Sequence, residues 1–572
     1  MTKFILTILV ALTIVSCGGG DDKKLDSREG KGGVKYGGVL RTNEERDFKS
    51  LFPHAVNEVI GHRIGNQIFE GLLALSQKDL TLENRLTESY EVNQDATVFT
   101  FKLRKGVKFQ DNLCFKDGKG RELKASDIKY CFDRLCASYP NNSGYAMFKD
   151  KVKGANEYYS STLEGNPLDG GVSGVTVVDD YTVKIELEYP FAGFLNILAS
   201  SYCWIFPKEA VDKYAGDIDL NPVGTGGFYA KEIRPGSIVF LKKNENYWRD
   251  DIHGNRLPYL DAISVSFIKE KKSEFLEFKK GNLDFVFRIP DDLVGEILQP
   301  QNSGEKNALK LDVKSALNFQ YYGFQHQTGV FTDKRVRQAF IMAIDKKKIV
   351  TFTLQGNGTV AKHGVIPPAF AGYNHEGVNS YTFNPEKARA LLAEAGYPNG
   401  TDFPELKLQL NSAGGGRNKM IAEVVKNQLK ENIGVEIDLE IIPWAQHLEK
   451  VESGNAMFWR EAWLADYPDP ETFLNLFYGK HVPESMAEPA YFNSFRYKNE
   501  NFDKVFEKAL RELDDTRRMA YYLEADNIVT EDAAVLPIYY DENYRLKKPW
   551  VKNFDANAME YRDLSIVYID KE

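Results

Sequence analysis

The sequence predicts a mixed α/β protein built from several domains. Residues 98–109 and 175–187 alternate apolar with polar side chains, which is typical of half-buried strands. Residues 333–350 and 384–397 instead repeat apolar side chains at helical spacing. The chain has 572 residues, which is too long for a single hydrophobic core, so we expect two to four domains.

The predicted strands are of two kinds. In residues 175–187, two β-rich runs meet at Asp179-Asp180, which indicates a hairpin. Residues 455–466, NAMFWREAWLAD, alternate as one strand, and Pro468 stops it.

The predicted helices show apolar stripes that we assign to the core. Asn384 is the expected N-cap of one helix, with Pro385 in its first turn and Gly396 as its stop. In two other helices the stripe residues are Val336, Ala339, Phe340 and Ala343, and Phe502, Val505, Phe506, Ala509 and Leu510.

Composition and motifs exclude several function classes. The net charge of −9 argues against a nucleic-acid partner. The chain has no HExxH, GxSxG, P-loop or Rossmann motif, and its eight histidines lack metal-ligand spacing. We therefore expect no catalytic residue, cofactor or metal.

The N-terminus is typical of an exported lipoprotein. Lys3 precedes a short apolar run that is better suited to a signal peptide, residues 1–16, than to a membrane helix. Residues 14–17, Ile-Val-Ser-Cys, resemble a lipobox, which implies that Cys17 is acylated and anchors the chain in a lipid bilayer. Residues 17–35 are rich in glycine and charge, which predicts a flexible tether.

Export permits disulfides among the four remaining cysteines. Cys131 and Cys136 are five residues apart on one predicted helix and point to different faces, so they should not bond to each other. Other pairings with Cys114 and Cys203 stay open, as do free thiols.

The strand at 455–466 carries the most informative charges. In a strand, Arg460, Ala462, Leu464 and Asp466 share one face, and the two charges lie roughly 20 Å apart. Each charge can have its own partner within the protein. Alternatively, a ligand with opposite charges at its ends can join them. A peptide of about three to five residues fits this spacing and can pair with the strand backbone, antiparallel to it.

Several stretches resemble one known family. They are LFPHAVNEVIGHRIGNQIFEGLL (51–73), FTFKLRKGVKF (99–109), RVRQAFIMAIDKKKIV (335–350), ARALLAEAGYP (388–398), WREAWLADYPDPETFLN (459–475) and VLPIYYDENYRLKKPWV (535–551). From about Tyr36 to the C-terminus the chain resembles the bacterial extracellular solute-binding proteins of family 5, receptors of ABC importers, and among them the oligopeptide receptors.

The resemblance implies a two-lobed hinged fold with an extra inserted domain. The first lobe would comprise residues 36–77, 206–315 and 537–572, the inserted domain residues 78–205, and the second lobe residues 316–536. Crossovers near 315 and 537 would form the hinge. The resemblance also implies a monomer that delivers short peptides to a membrane ABC permease.

It also implies roles for individual residues. Asp466 would bind the ligand ammonium and Arg460 its carboxylate. The other implied contacts are the backbone from Ala462 through Trp463 to Leu464, Val59 from the first lobe, the rings of Trp444, Trp463 and Tyr145, and Arg417 as a second carboxylate partner.

Two alternatives remain at this stage. The same fold can bind a dipeptide, an oligosaccharide or a metal chelate. A secreted hydrolase with paired carboxylates, such as Glu461 and Asp469, is the rival from a different class.

Overall fold

The computed structural model describes residues 29–288 except 57 and 192, and residues 310–571 except 371, 413, 414, 487 and 491. The predicted signal peptide, the acylated Cys17 and most of the predicted tether lie outside these ranges. Within them, no helix is both long and apolar enough to cross a bilayer. At the end of the predicted tether, the Lys31 amide donates to Asn255 Oδ1 at 2.9 Å, which attaches this part of the chain to the folded protein.

Strands and helices alternate along the described chain. The strands are β1 Val39–Asn43, β2 Leu73–Leu75, β3 Leu82–Asn84, β4 Thr87–Val92, β5 Val98–Leu103, β6 Val175–Asp179, β7 Thr182–Glu186, β8 Phe228–Arg234, β9 Ile238–Lys243, β10 Ala262–Ser266, β11 Phe285–Phe287, β12 Lys310–Phe324, β13 Thr359–Val360, β14 Lys407–Asn411, β15 Asp438–Ile442, β16 Phe458–Leu464, β17 Val535–Lys547, β18 Val551–Lys552 and β19 Tyr568–Ile569. The helices are α1 Val59–Gly65, α2 Ala125–Leu135, α3 Tyr145–Phe148, α4 Ala155–Leu163, α5 Phe194–Leu198, α6 Lys208–Tyr214, α7 Lys271–Lys280, α8 Lys334–Met342, α9 Lys346–Lys348, α10 Pro385–Glu394, α11 Gly415–Ile433, α12 Trp444–Glu452, α13 Glu471–Leu474, α14 Glu500–Arg511 and α15 Asp515–Glu531.

Separate sheets organise the domains. The sheet β1-β10-β9-β8 is formed by residues of the predicted first lobe, and the antiparallel sheet β4-β5-β7-β6 by residues of the predicted inserted domain. A seven-stranded sheet has the order β11-β17-β12-β16-β14-β15, with β13 paired to β17. Its β16-β14-β15 end lies within the predicted second lobe. The alternation of these sheets with helices confirms the mixed α/β class.

Two long strands, β12 and β17, connect the lobes. At one end of β17, Phe287 of β11 pairs with Arg545 on the first-lobe side. At the other end, β12 pairs with β16 in the second lobe. The β12–β17 register shifts between Ser315 and Phe319, and again at Gln320. Such irregularities bend a strand and increase its twist, so the direction of both strands changes between the lobes.

The predicted elements form, although the strand predicted over residues 98–109 ends at Leu103. Asn384 Oδ1 accepts the Lys387 amide at 3.0 Å, which confirms the N-cap of α10. The predicted hairpin is β6–β7. The segment 333–350 is not one helix, because Asp345 caps a new turn by accepting the Lys348 amide at 3.0 Å, and a π-helical turn follows at Ile349–Thr353.

All four cysteines in the described ranges are free thiols. The Cys131 thiol donates to the Phe206 carbonyl at 3.2 Å inside the core. Burial raises the pKa of the Cys203 thiol to about 12, which leaves it protonated at neutral pH.

A buried ion network joins the distant parts of the first lobe. Glu44 binds Arg63 at 3.0 Å and Arg562 at 2.8 Å, and Arg545 binds Glu560 at 2.8 Å. Glu44, Glu560, Arg545 and Arg562 are all buried. Because Arg562 comes from the C-terminal segment, these ion pairs hold the two ends of the described chain in one domain.

We predict that Glu44→Gln lowers the free energy of unfolding by about 3–5 kcal/mol, because it leaves two guanidinium groups without their shared carboxylate in a buried environment. Urea denaturation measures the change. The matched control is Glu232→Gln, which breaks an exposed pair with Arg234 and should change stability by no more than about 0.5 kcal/mol. Equal effects of the two variants would contradict a structural role for the network.

Candidate functional site

Strand β16 presents its two faces to different surroundings. Trp459 and Ala465, on one face, are buried. On the opposite face Leu464 is 36% exposed, Asp466 is exposed, and Arg460 is half-buried. The alternation predicted from the sequence is therefore present, and the charged face is accessible.

One backbone edge of β16 is open next to this face. Strand β12 pairs with β16 along residues 458–464, whereas β14 pairs only with residues 458 and 459 on the other side. The Ala465 amide donates to the Leu317 carbonyl at 2.9 Å, toward β12. Since backbone groups alternate in an antiparallel pair, Ala462 and Leu464 direct theirs to the open edge. An extended ligand can add there as a further strand.

Asp466 stands at one end of this edge without a cation. Its carboxylate makes no hydrogen bond or ion pair with any residue that the structure describes. The side chain is exposed, but the surrounding protein still desolvates its carboxyl, which raises the pKa of this group to about 6. Asp466 is therefore mostly ionised at pH 7 and unsatisfied.

The neighbouring carboxylates are matched, unlike Asp466. Arg518 approaches Asp469 at 3.6 Å. Burial raises the pKa of the Glu471 carboxyl to about 7, and the ammonium of Lys151, from the inserted domain, acts in the opposite direction. The Tyr467 hydroxyl also donates to Glu471. Asp466 differs from both of these carboxylates in having no cation near it among the described residues.

Arg460 stands at the opposite end of the edge and is bound to a neutral group. Its guanidinium donates to Gln320 Oε1, and within the described residues no carboxylate lies within ion-pair distance. Gln320 in turn donates to Asn318 Oδ1 at 2.9 Å and to Asp541 Oδ2 at 3.4 Å. This end carries a guanidinium that no carboxylate contacts directly.

The structure brings two predicted tryptophans to these two ends. Trp463 Nε1 donates to Thr472 Oγ1 at 3.2 Å, and the Asp466 amide points to the same oxygen at 3.5 Å. Trp444 is 46% exposed and stacks on His447 at 5.6 Å. Burial is the main cause that lowers the pKa of His447 to about 4, and the charge of Arg460 is the next. His447 therefore lies near Arg460, and Trp444, which stacks on His447, lies at the same end of β16.

Arg417 also belongs to the Arg460 end. Its Nη2 donates to the Asn357 carbonyl at 3.0 Å, and its guanidinium lies over the Tyr539 ring at 5.7 Å. Tyr539 and Arg460 line the same small pocket.

The two remaining predicted residues are less directly placed. Val59 is the first residue of α1 and is 40% exposed. Tyr145 donates to Asn156 Oδ1 at 2.9 Å and stacks on Tyr159 at 4.0 Å. Its hydrogen bonds and ring contacts all lie in the inserted domain, so the described structure does not connect Tyr145 to β16.

Sequence reasoning missed the partners that surround Arg460. They come from β12 and β17, which the chain separates from β16 by more than 70 residues, and they are Gln320, Tyr322, Tyr539 and Asp541. A signal was present, because Gln320 and Asp541 are polar residues inside strongly apolar runs.

The carboxylates of the hydrolase alternative are internally bound. Glu461 accepts from Trp459 Nε1 at 3.1 Å and from the Tyr321 hydroxyl at 3.2 Å. Asp469 accepts the Glu471 amide at 2.9 Å. In the described ranges no group of three or more His, Cys, Asp or Glu side chains is arranged to hold a metal.

The chain is similar to solute-binding proteins along most of its length. The heme-binding protein A of Haemophilus influenzae is 28% identical over 515 residues, 88% of this chain and 87% of that protein. The periplasmic oligopeptide-binding protein OppA of Salmonella typhimurium is 28% identical over 524 residues, 90% of this chain and 89% of that protein. The crystal structure of the oligopeptide-binding protein OppAIV of Borrelia burgdorferi matches with a TM-score of 0.75 and 25% identity, over 93% of this chain and all of that one.

A family model gives the assignment. The model described as bacterial extracellular solute-binding proteins, family 5 middle, matches residues 81–483. This match covers well over half of the sequence and includes β16 with both of its charged ends. The chain therefore belongs to the bacterial extracellular solute-binding proteins of family 5.

Proposed function

We propose that this protein captures short peptides by their two termini. The observation that carries the proposal is the pair of opposite charges on β16, with the open backbone edge of Ala462 and Leu464 between them. The peptide ammonium binds Asp466 and the carboxylate binds Arg460, so the peptide lies antiparallel to β16. Main-chain hydrogen bonds do not depend on the side chains of the ligand, so peptides of many sequences should bind.

Peptides fit these charges better than the alternatives do. An oligosaccharide has neither charge, and a metal chelate leaves Asp466 without a cation. Burying an ionised group without a partner is costly. The names of the relatives are compatible with several solutes, since one is called an oligopeptide-binding protein and another a heme-binding protein. Calorimetry with peptides of two to six residues tests this choice directly.

The family sets the biological context of the proposal. Its members bind solutes, so this chain is a binding protein and not an enzyme. The similar Salmonella protein is periplasmic, and the similar Borrelia structure is described as part of an oligopeptide ABC transporter. We infer that this protein delivers peptides to an ABC permease, and that closure of the two lobes encloses the ligand.

Asp466→Asn is expected to weaken binding of a free tetrapeptide at least a hundredfold, because losing one partner of a buried charge pair costs about 3–5 kcal/mol. The N-acetylated form of the same peptide has no ammonium, so its affinity should change little. Calorimetry at pH 7.5 compares the four combinations. Equal losses for both peptides would rule out Asp466 as the ammonium partner.

Peptide affinity is expected to fall as the pH decreases below about 6. The pKa of Asp466 is about 6 without ligand, and only the ionised carboxylate attracts the ammonium. Between pH 7 and pH 5 the peptide keeps its charges, so the dissociation constant should rise roughly tenfold. Titrations with wild type and Asp466→Asn measure this change. The variant should give a flat profile, and a flat wild-type profile would contradict the assignment.

We further propose that Cys17 anchors the protein in a bilayer, on the sequence motif alone. Because acylation requires the thiol, Cys17→Ser should abolish incorporation of a labelled fatty acid and release the protein from membranes. Cys114→Ser is the matched control and should stay membrane-bound. Membrane association of Cys17→Ser that equals wild type would refute the anchor.

A further inference from the structure

A third arginine, besides Arg460 and Arg417, approaches the Arg460 end of β16 from the predicted first lobe. Arg288 directly follows β11, and its amide donates to the Tyr544 carbonyl at 2.9 Å on the first-lobe half of β17. We propose that Arg288 is a ligand-binding residue which, together with Arg460 of the second lobe, clamps the carboxylate of the ligand. This inference rests on the proposed binding of peptides.

A continuous chain of polar contacts connects the two arginines. Arg460 binds Gln320, Gln320 Nε2 approaches Asp541 Oδ2 at 3.4 Å, and Arg288 Nη2 lies 3.7 Å from the same oxygen. The last two distances exceed those of good charge-assisted hydrogen bonds. Arg288 is therefore held loosely by Asp541, and Arg460 is bound only to a neutral amide oxygen. A ligand carboxylate can offer each of them a charged acceptor.

The surroundings of Tyr539 show that the guanidinium groups converge. Burial and Asp541 raise the pKa of Tyr539 to about 12, while the charges of Arg417, Arg460 and Arg288 all act in the opposite direction. All three cations thus lie near one phenol. The field at this end of the cleft is attractive to an anion.

Tyr322 provides an independent indication of a missing anion or acceptor. Its side chain is 1% exposed and lines the small pocket that contains Arg460 and Tyr539. Its hydroxyl finds no hydrogen-bond partner among the described residues. A buried hydroxyl is normally bonded, so this donor is placed to serve a group that enters beside Arg460.

The conformation of Arg288 fits a binding role. Its backbone φ is 58°, in the left-handed region that is strained for a residue with a side chain. This conformation turns the side chain over the Phe287 ring, at 5.4 Å, and leaves it 51% exposed. Burial in the core does not explain an arginine here.

If the carboxylate binds to arginines from both lobes, its binding favours closure of the two lobes. Arg288 lies on the first-lobe side of the register shift in β12 and β17, and Arg460 lies on the second-lobe side. A carboxylate bound to both therefore ties the two lobes together. A peptide amide offers no negative charge to either arginine, so it should bind without fully closing the cleft.

Calorimetry with one tetrapeptide as the free acid and as the C-terminal amide tests the proposal. Wild type should prefer the acid by at least a hundredfold. Arg288→Gln should lose roughly tenfold for the acid and less than twofold for the amide, whereas Arg288→Lys should keep an intermediate preference. Arg234→Gln, an exposed first-lobe arginine paired with Glu232, should match wild type. Small-angle scattering should show a smaller ligand-induced compaction for Arg288→Gln than for wild type.

The outcomes separate the possible failures. Equal losses for acid and amide in Arg288→Gln would show a merely structural role, and an unchanged preference would remove Arg288 from the site. Either result overturns the clamp but leaves peptide binding intact. Wild type that binds neither peptide would overturn the proposed function itself.

Discussion

The unmatched charge of Asp466 is the constraint on which the site depends. Its side chain is exposed, yet nearby protein raises the pKa of the carboxyl to about 6, and no cation binds it in the described structure. The same desolvation disfavours the ionised form as long as no cation is present. The neighbouring carboxylates Asp469 and Glu471 have Arg518 and Lys151 nearby. Among these three carboxylates in the described structure, Asp466 alone has no cation nearby, and in the proposed function the ligand ammonium supplies it.

The positions of the two ends give them different tasks. Asp466 follows β16 and lies near Glu471, on which the charge of Lys151 also acts. Arg460 lies where β12 and β17 change register, beside Gln320 and Asp541. In the proposed binding mode, a ligand that is too short would reach only one of the two charges, so the distance between Arg460 and Asp466 would set a minimum ligand length.

Local patterns were readable from the sequence, and distant pairings were not. The alternation in 455–466, the Asn384 cap and the hairpin at 175–187 each depend on neighbours within a few residues, and the structure contains all three. The roles of Gln320 and Asp541 depend on strands more than 70 residues away. The break in 333–350 was missed because Asp345 fits a helical pattern but caps a new turn. Arg288 shows no signal at all, since its position follows from the pairing of β11 with β17.

Lys151 explains why the inserted domain matters for the ammonium end. In the structure its ammonium is desolvated, which lowers its pKa, and Glu471 is the strongest of the charges that stabilise it. If Asp466 binds the ligand ammonium as proposed above, closure of the lobes without a ligand would further desolvate an ionised carboxylate that has no cation, whereas a bound ligand would supply the cation. The same residue would then favour the closed form with ligand over the empty closed form.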